Sequence, residues 1–300
     1  MARVNANGIA IAFETTGPET APAILLTRGL GTQMIDWPAA FWQGMVEHGY
    51  RVVRYDNRDA GLGQKFGPCE APPKGEGGAG QAPARAAYDL FDMADDAVGL
   101  LDGLGIERAH ILGISMGGMI SQIVAARYPE RTASLISIMS TAGEPNPLSG
   151  PQAALEALRE PWPPAADREA VIARWVRDDR LFGSRSHPSD ADSARDRATA
   201  WMERCYCPGG MLRQRAAISA TGSRAAMLRR ISRPTLVIHG DEDPLISPTV
   251  GARAARLIPD ATFKLVKGMG HDLPAPLIPE LLDAIVDFCR AADHGHIAAP

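Results

Sequence analysis

The sequence predicts an α/β protein: a mostly parallel sheet with helices on both faces. Three observations carry that prediction. Short runs rich in Ile, Leu and Val recur along the chain, longer segments of helical period separate them, and the runs are nearly continuous in apolar character. Alternation of apolar and polar residues would mark a strand with one wet face; continuity marks strands buried on both sides.

In chain order, "MARVNANGIAIAFETTG" places Asn7-Gly8 between two short strand-like runs, the preferred chemistry of a two-residue hairpin turn. This start lacks the basic-then-apolar layout of a secretory signal, so the chain is expected to begin near Met1 and to stay in the cytoplasm. Further strands are expected at Ala23–Thr27, Arg51–Asp56, Ala109–Ile114, Ala133–Met139, Pro234–His239 and Thr262–Val266. Helices are expected near Trp37–Glu47, Tyr88–Gly103, Met116–Tyr128, Thr249–Leu257 and Pro276–Ala292.

Two segments break this rhythm. Gly61 to Ala84, "GLGQKFGPCEAPPKGEGGAGQAPA", is a Gly/Pro-rich excursion too long for an ordinary connection, and reads as a mobile surface loop or a lid edge. From Gly143 to about Arg230 the pattern is helical, with Trp162, Trp175 and Trp201 and no strong strand. A helical cap over 143–230, inserted into a core made of 1–142 and 231–300, is the economical reading.

The composition excludes several functions. Hydrophobic residues make up 45% and charged residues 22% of the 300, which is ordinary for a globular enzyme-sized chain. A net charge of −4 offers no basic surface for nucleic acid or anionic membranes. No apolar run approaches ~18 residues, so no spanning helix is expected. Cys69, Cys205, Cys207 and Cys289 have no zinc spacing, and a Cys205–Cys207 bridge would close a strained ring. Free thiols in a reducing compartment are therefore expected.

The chemistry is concentrated in "HILGISMGGMISQ", His110 to Gln122. An apolar strand runs into Gly113-Ile114-Ser115-Met116-Gly117, and a helical pattern follows at once. In that context G-x-S-x-G puts its serine on a sharp strand-to-helix turn, lifted clear of the sheet beside the free N–H groups of a helix start. Ser115 is the expected nucleophile. A serine hydroxyl needs a general base. His110 and His239 lie inside strand runs and read as core or supporting residues, His48 ends a helix, His187 is in the cap, and His294 and His296 are in a polar tail. His271, in "VKGMGHDLPAP" after the last strand, is the one placed to lean over the sheet edge. The imidazolium needs a carboxylate partner. "PTLVIHGDEDP" offers Asp241, Glu242 and Asp243; Asp243, at the corner before Pro244, is the choice, with Glu144 in reserve.

With the order Ser115, Asp243, His271, the sequence resembles the serine-nucleophile α/β-hydrolases over nearly its whole length. The resemblance rests on "GISMGG", "PTLVIHGDEDP", "GMGHDLP" and "RYDNRDAGLGQ". "GLGTQMIDWP", "RYDNRDAGLG" and "RQRAAISATGSR" look like the carboxylesterase branch that includes aclacinomycin methylesterase. It implies an α/β-hydrolase fold with an eight-stranded sheet, an inserted helical cap and hydrolysis of a small-molecule ester without a cofactor. It also implies an oxyanion hole formed by the N–H groups of Leu30 and Met116. Carbon–carbon bond hydrolysis, lactonase or perhydrolase activity and a ligand-binding module on the same fold are the competing readings. Two positions depart from the pattern: Gly63 stands where many relatives carry serine, and Arg28 precedes Gly29 where histidine or an apolar residue is usual.

Arg28 is expected either to brace the turn or to reach the substrate pocket. Trp162, Trp175, Trp201 and Tyr206 are pocket candidates, although large aromatics also form the core of a small helical layer. Arg54, Asp56, Arg58 and Asp59 are expected to form a salt-bridged turn under the oxyanion loop.

Overall fold

The computed structural model describes residues 1–70, 86–144 and 150–295. Strands β1 (Ala2–Ala6) and β2 (Ile9–Thr16) form the N-terminal hairpin. Asn7 and Gly8 take φ of 50° and 74°, the two left-handed positions the turn requires. Then follow β3 (Ala23–Thr27), α1 (Ala39–Glu47), β4 (Arg51–Tyr55), α2 (Leu90–Gly103), β5 (Ala109–Ile114), α3 (Met116–Arg127) and β6 (Thr132–Ile138). Helices α4 (Gln152–Arg159), α5 (Arg168–Phe182), α6 (Ala191–Arg204), α7 (Pro208–Thr221) and α8 (Ala225–Leu228) come next. β7 (Thr235–Gly240), α9 (Pro248–Leu257), β8 (Thr262–Val266) and α10 (Ile278–Asp293) complete the chain. The expected elements lie within one or two residues of these bounds.

The strands form one eight-stranded sheet in the order β1-β2-β4-β3-β5-β6-β7-β8. The β1–β2 and β2–β4 pairings are antiparallel and the other five are parallel. Period-two side-chain geometry explains the continuous apolar strands. Leu25, Val53, Tyr55 and Ile111 face α2 and α3, while Ile24, Leu26, Val52, Leu112 and Ile114 face α1 and α10. β3, β4 and β5 therefore feed both cores.

The topology also fixes where a site can form. The chain leaves β3 for β4 on one side and returns to β5 on the other, with Thr27 paired to Gly113. The loops after β3 and β5 thus diverge from adjacent strand ends, the place where ligands bind in open parallel sheets. Of the helices between β6 and β7, α7 meets the loop after β3, where Gln214 accepts from Gly31 N–H. Ala154, Leu158, Leu181 and Phe182 pack against Leu245 and Ile246 after β7, whereas Leu228 joins Leu135, Ala254 and Ile258 in the core.

One expectation fails here. Cys69 and Cys207 are joined in a disulfide, and only Cys205 and Cys289 are free. The chain at 61–70 folds back over the start of α7, where Gly209 N–H donates to the Cys69 carbonyl (2.7 Å), and that return brings the sulfurs together. Sequence spacing could not show it, because the partners are 138 residues apart. The bridge removes the thiol argument for a reducing compartment. Residues 71–84 of the Gly/Pro stretch, and His296, lie outside the described residues. No helix among the described residues is long and apolar enough to cross a membrane.

Candidate active site

β5 delivers the chain into a turn that only a constrained backbone can make. Ser115 takes φ 54° and ψ −120°, a conformation costing a non-glycine residue about 1–3 kcal/mol. Neighbours hold it there. Its N–H donates to the Ile138 carbonyl (3.0 Å), and its own carbonyl accepts from Ser140 Oγ (2.8 Å) and Met119 N–H (3.2 Å). The flanking glycines answer to space. A Cβ on Gly113 would sit 2.1 Å from the Gly117 carbonyl oxygen, and one on Gly117 would sit 2.1 Å from that of Thr27. Helix α3 can therefore start directly against β3 and β5.

His271 lies in the loop after β8, with its N–H on the Phe182 carbonyl (2.9 Å). Its Nε2 is 3.0 Å from Ser115 Oγ and its Nδ1 is 2.8 Å from Asp243 Oδ2. A carboxylate only accepts, so Nδ1 carries the proton and Nε2 is free to take one from the hydroxyl. Asp243 is buried and saturated with donors. Leu245 and Ile246 N–H reach Oδ1 at 2.8 and 2.9 Å, and His239 Nε2, hydrogen-bonded to the Ile246 carbonyl at 2.8 Å, also lies 3.2 Å from Oδ2. Burial alone would push this carboxyl up; the charge of His271 and the hydrogen bonds from His239 and His271 outweigh it, holding Asp243 well below the usual carboxylate range. The other acids are engaged elsewhere. Asp241 is exposed and accepts from Gly268 N–H, Glu242 holds Ser186, and Glu144 pairs with the Thr141 hydroxyl.

The loop after β3 passes beside the serine: a Cβ on Gly29 would lie 3.3 Å from Ser115 Cβ. Leu30 follows in that loop. Met116 is the first residue of α3, so its N–H has no partner within the helix. Beneath the loop, Asn57 Nδ2 donates to the Arg28 carbonyl (3.0 Å) and Met34 N–H to Asp56 Oδ1 (2.8 Å).

The family model described as the alpha/beta hydrolase fold matches residues 22–274. The chain belongs to that family. Rhodomycin D methylesterase of Streptomyces peucetius is 29% identical over 292 residues, covering 92% of this chain and 93% of the relative. The enol-lactonase of Burkholderia xenovorans LB400 superposes with a TM-score of 0.74 at 22% identity, over 96% of this chain and all of that one. A meta-cleavage product hydrolase of Pseudomonas fluorescens IP01 gives 0.75 at 21%, over 97% and 98%. At those identities the two structures speak for the fold alone.

The charged turn of this family member differs from its expected form. Arg54, Asp56, Arg58 and Asp59 do not pair with one another. Arg54 binds Glu14, Arg58 forms a fork on Asp96, Arg204 of α6 reaches Asp56 (2.6 Å), and Arg213 of α7 reaches Asp59 (2.7 Å). All four are buried, and each needed a partner from outside its own segment. Gly63 is not a simple deletion of a serine either, since a Cβ there would sit 2.4 Å from the Asn57 carbonyl oxygen. Instead Lys65 Nζ gathers the carbonyls of Ala60, Gly61 and Gly63 at 3.2, 2.6 and 2.7 Å.

Arg28 lies 4.9 Å from the Trp37 ring centroid and 3.4 Å from Thr32 Oγ1, with the Asp36 charge nearby. Burial lowers its guanidinium pKa, and Asp36 only partly offsets that. These contacts are the kind a bracing role would use. The aromatic candidates divide. Trp162, Trp201 and Tyr206 pack on one another with centroids 5.5 to 6.1 Å apart, and Tyr206 donates to the Pro163 carbonyl. Trp201 is buried and Trp162 and Tyr206 are half-buried, so the three form one aromatic cluster within the helical layer. Trp175 stands apart under Arg197. His239, read from the sequence as a core or supporting residue, packs against the acid as expected; sequence reasoning missed Ser140, Arg204, Arg213 and Gln214 as supports. The run "RQR" at Arg213–Arg215, polar residues in an otherwise apolar helical stretch, was the available signal.

Proposed function

We propose that this protein is a serine-dependent carboxylic ester hydrolase working through an acyl-enzyme, with Ser115 as nucleophile, His271 as general base and Asp243 as its orienting acid. The single observation that carries the reading is the hydrogen-bonded run Asp243–His271–Ser115, ending on a hydroxyl held in a strained turn.

Ser115 Oγ attacks the ester carbonyl carbon while its proton passes to His271 Nε2. Asp243 steadies the imidazolium through Nδ1. The oxyanion accepts from the N–H groups of Leu30 and Met116, each donor contributing about 3 kcal/mol to the transition state. His271 then returns the proton to the departing alkoxide, leaving an ester on Ser115. Water, deprotonated by His271, cleaves that ester and releases the carboxylic acid. Only water is consumed. The segment 143–230 serves as a cap that shapes the substrate side.

The similarity to a methylesterase makes a methyl ester a natural member of the first substrate panel. That panel sets p-nitrophenyl acyl esters of graded length against a vinylogous diketone. Ester turnover with little diketone cleavage is expected. Cleavage of the diketone alone would assign carbon–carbon bond hydrolysis instead, and tight binding without turnover of any ester would assign a binding module.

A further inference from the structure

The oxyanion loop, Gly29-Leu30-Gly31, has two glycines and little stiffness of its own. Catalysis by a backbone N–H requires the opposite, a donor already aimed before the charge develops. Thr32 supplies part of the stiffening, its hydroxyl donating to the Gly29 carbonyl at 2.9 Å. The rest comes from 183 residues away. Gln214 of α7 accepts the Gly31 N–H on Oε1 at 2.7 Å and donates Nε2–H to the Arg58 carbonyl at 2.8 Å. It is fully buried.

Resting on the function proposed above, we propose that Gln214 is a positioning residue of the active site. Its amide clamps the peptide that follows Leu30 and thereby aims the Leu30 N–H at the substrate carbonyl oxygen. One end of the amide meets a donor and the other an acceptor, so only one orientation satisfies both. A buried amide with either end unmet would be costly, which explains why both are used. Helix α7 is itself anchored at this point. Arg213 forks onto Asp59 at 2.7 and 2.9 Å, and a Cβ on Gly210 would sit 2.1 Å from the Asp59 carbonyl oxygen. Met211 packs against Gly31, whose φ of 68° puts the turn in the left-handed region. The clamp therefore transmits the position of the helical layer to the oxyanion donor.

The test uses the full chain with p-nitrophenyl butyrate, an alkyl boronic acid that forms a tetrahedral anion on the nucleophile, and thermal unfolding. Gln214→Ala is expected to lose roughly 10- to 100-fold in kcat with KM within about 2-fold, because a misaimed donor fails chiefly in the transition state. Its affinity for the boronic acid should fall by a similar factor. Gln214→Glu supplies a signature that packing alone does not. The neutral acid both accepts and donates, whereas the carboxylate faces the Arg58 carbonyl with a second acceptor. Its kcat relative to wild type should therefore recover as pH falls. A kcat for Gln214→Ala within about 2-fold of wild type, or a kcat loss with boronic acid affinity unchanged, overturns the proposal while leaving Ser115 chemistry intact. If Gln214→Ala does not fold, a pH-independent ratio for Gln214→Glu overturns it. A wild-type chain inactive on every ester overturns the proposed function and this clamp with it.

Discussion

Arg213→Met removes the guanidinium fork from Asp59 while keeping much of the apolar stem. Asp59 has a fully buried side chain, and Arg213 is its cationic partner at 2.7 Å. The carboxylate would keep Tyr88 Oη at 2.7 Å and Phe66 N–H at 2.9 Å as donors. Breaking a buried pair from one side costs about 3–5 kcal/mol, and the surviving donors place this case near the lower end. Unfolding entropy for 300 residues is roughly 0.6 kcal/mol/K, so Tm should fall by about 5 °C in a calorimetric or circular-dichroism melt. The double variant Arg213→Met/Asp59→Asn removes the stranded charge and should recover part of that loss. A Tm change below about 1 °C, or single effects that add without coupling, would refute the view of α7 as bolted to the core by this pair.

Other consequences are separable. Asp243→Asn should lower kcat roughly 1,000- to 10,000-fold in an ester assay with the fold retained, because the amide cannot hold His271 in the productive tautomer. The same residue sets an acid dependence. Its folded pKa is depressed, so its stabilisation is complete above the unfolded carboxylate value near ~4 and is lost as pH falls through the lower folded value. Urea titrations from pH 6 down to pH 2 should show a shallower acid loss in Asp243→Asn than in wild type. Arg28→Met should lower Tm by a few degrees without reordering a panel of esters; a KM rise confined to anionic or oxygen-rich esters would instead place Arg28 in recognition.

What was legible in the sequence was local. Gly113, Ser115 and Gly117 announce their turn because the backbone constraints lie within a few residues. Asn7-Gly8 announces the hairpin for the same reason. Asp243 and His271 are distant in sequence, yet each follows a strand end that the parallel topology brings to one edge. What stayed hidden depends on contacts made by the helices between β6 and β7. Asp56 and Asp59 read as neighbours of Arg54 and Arg58, but burial on the sheet edge sends each to a partner no spacing rule predicts. Gln214 and the Cys69–Cys207 bridge belong to the same class, since both depend on where α7 lies: Gln214 meets the loop after β3, and Cys207 at the start of the helix meets the 61–70 chain. Trp162, Trp201 and Tyr206 were legible as aromatics of the helical layer, but their contacts with one another were not.

The central claim is that Ser115 is the nucleophile, and covalent capture tests it most directly. Purified chain is treated with a fluorophosphonate, digested and mapped by mass spectrometry, beside Ser115→Ala. A single adduct on the peptide carrying Ser115, absent from Ser115→Ala together with nearly all ester turnover, is the predicted result. An adduct on another serine, or undiminished turnover by Ser115→Ala, would contradict it.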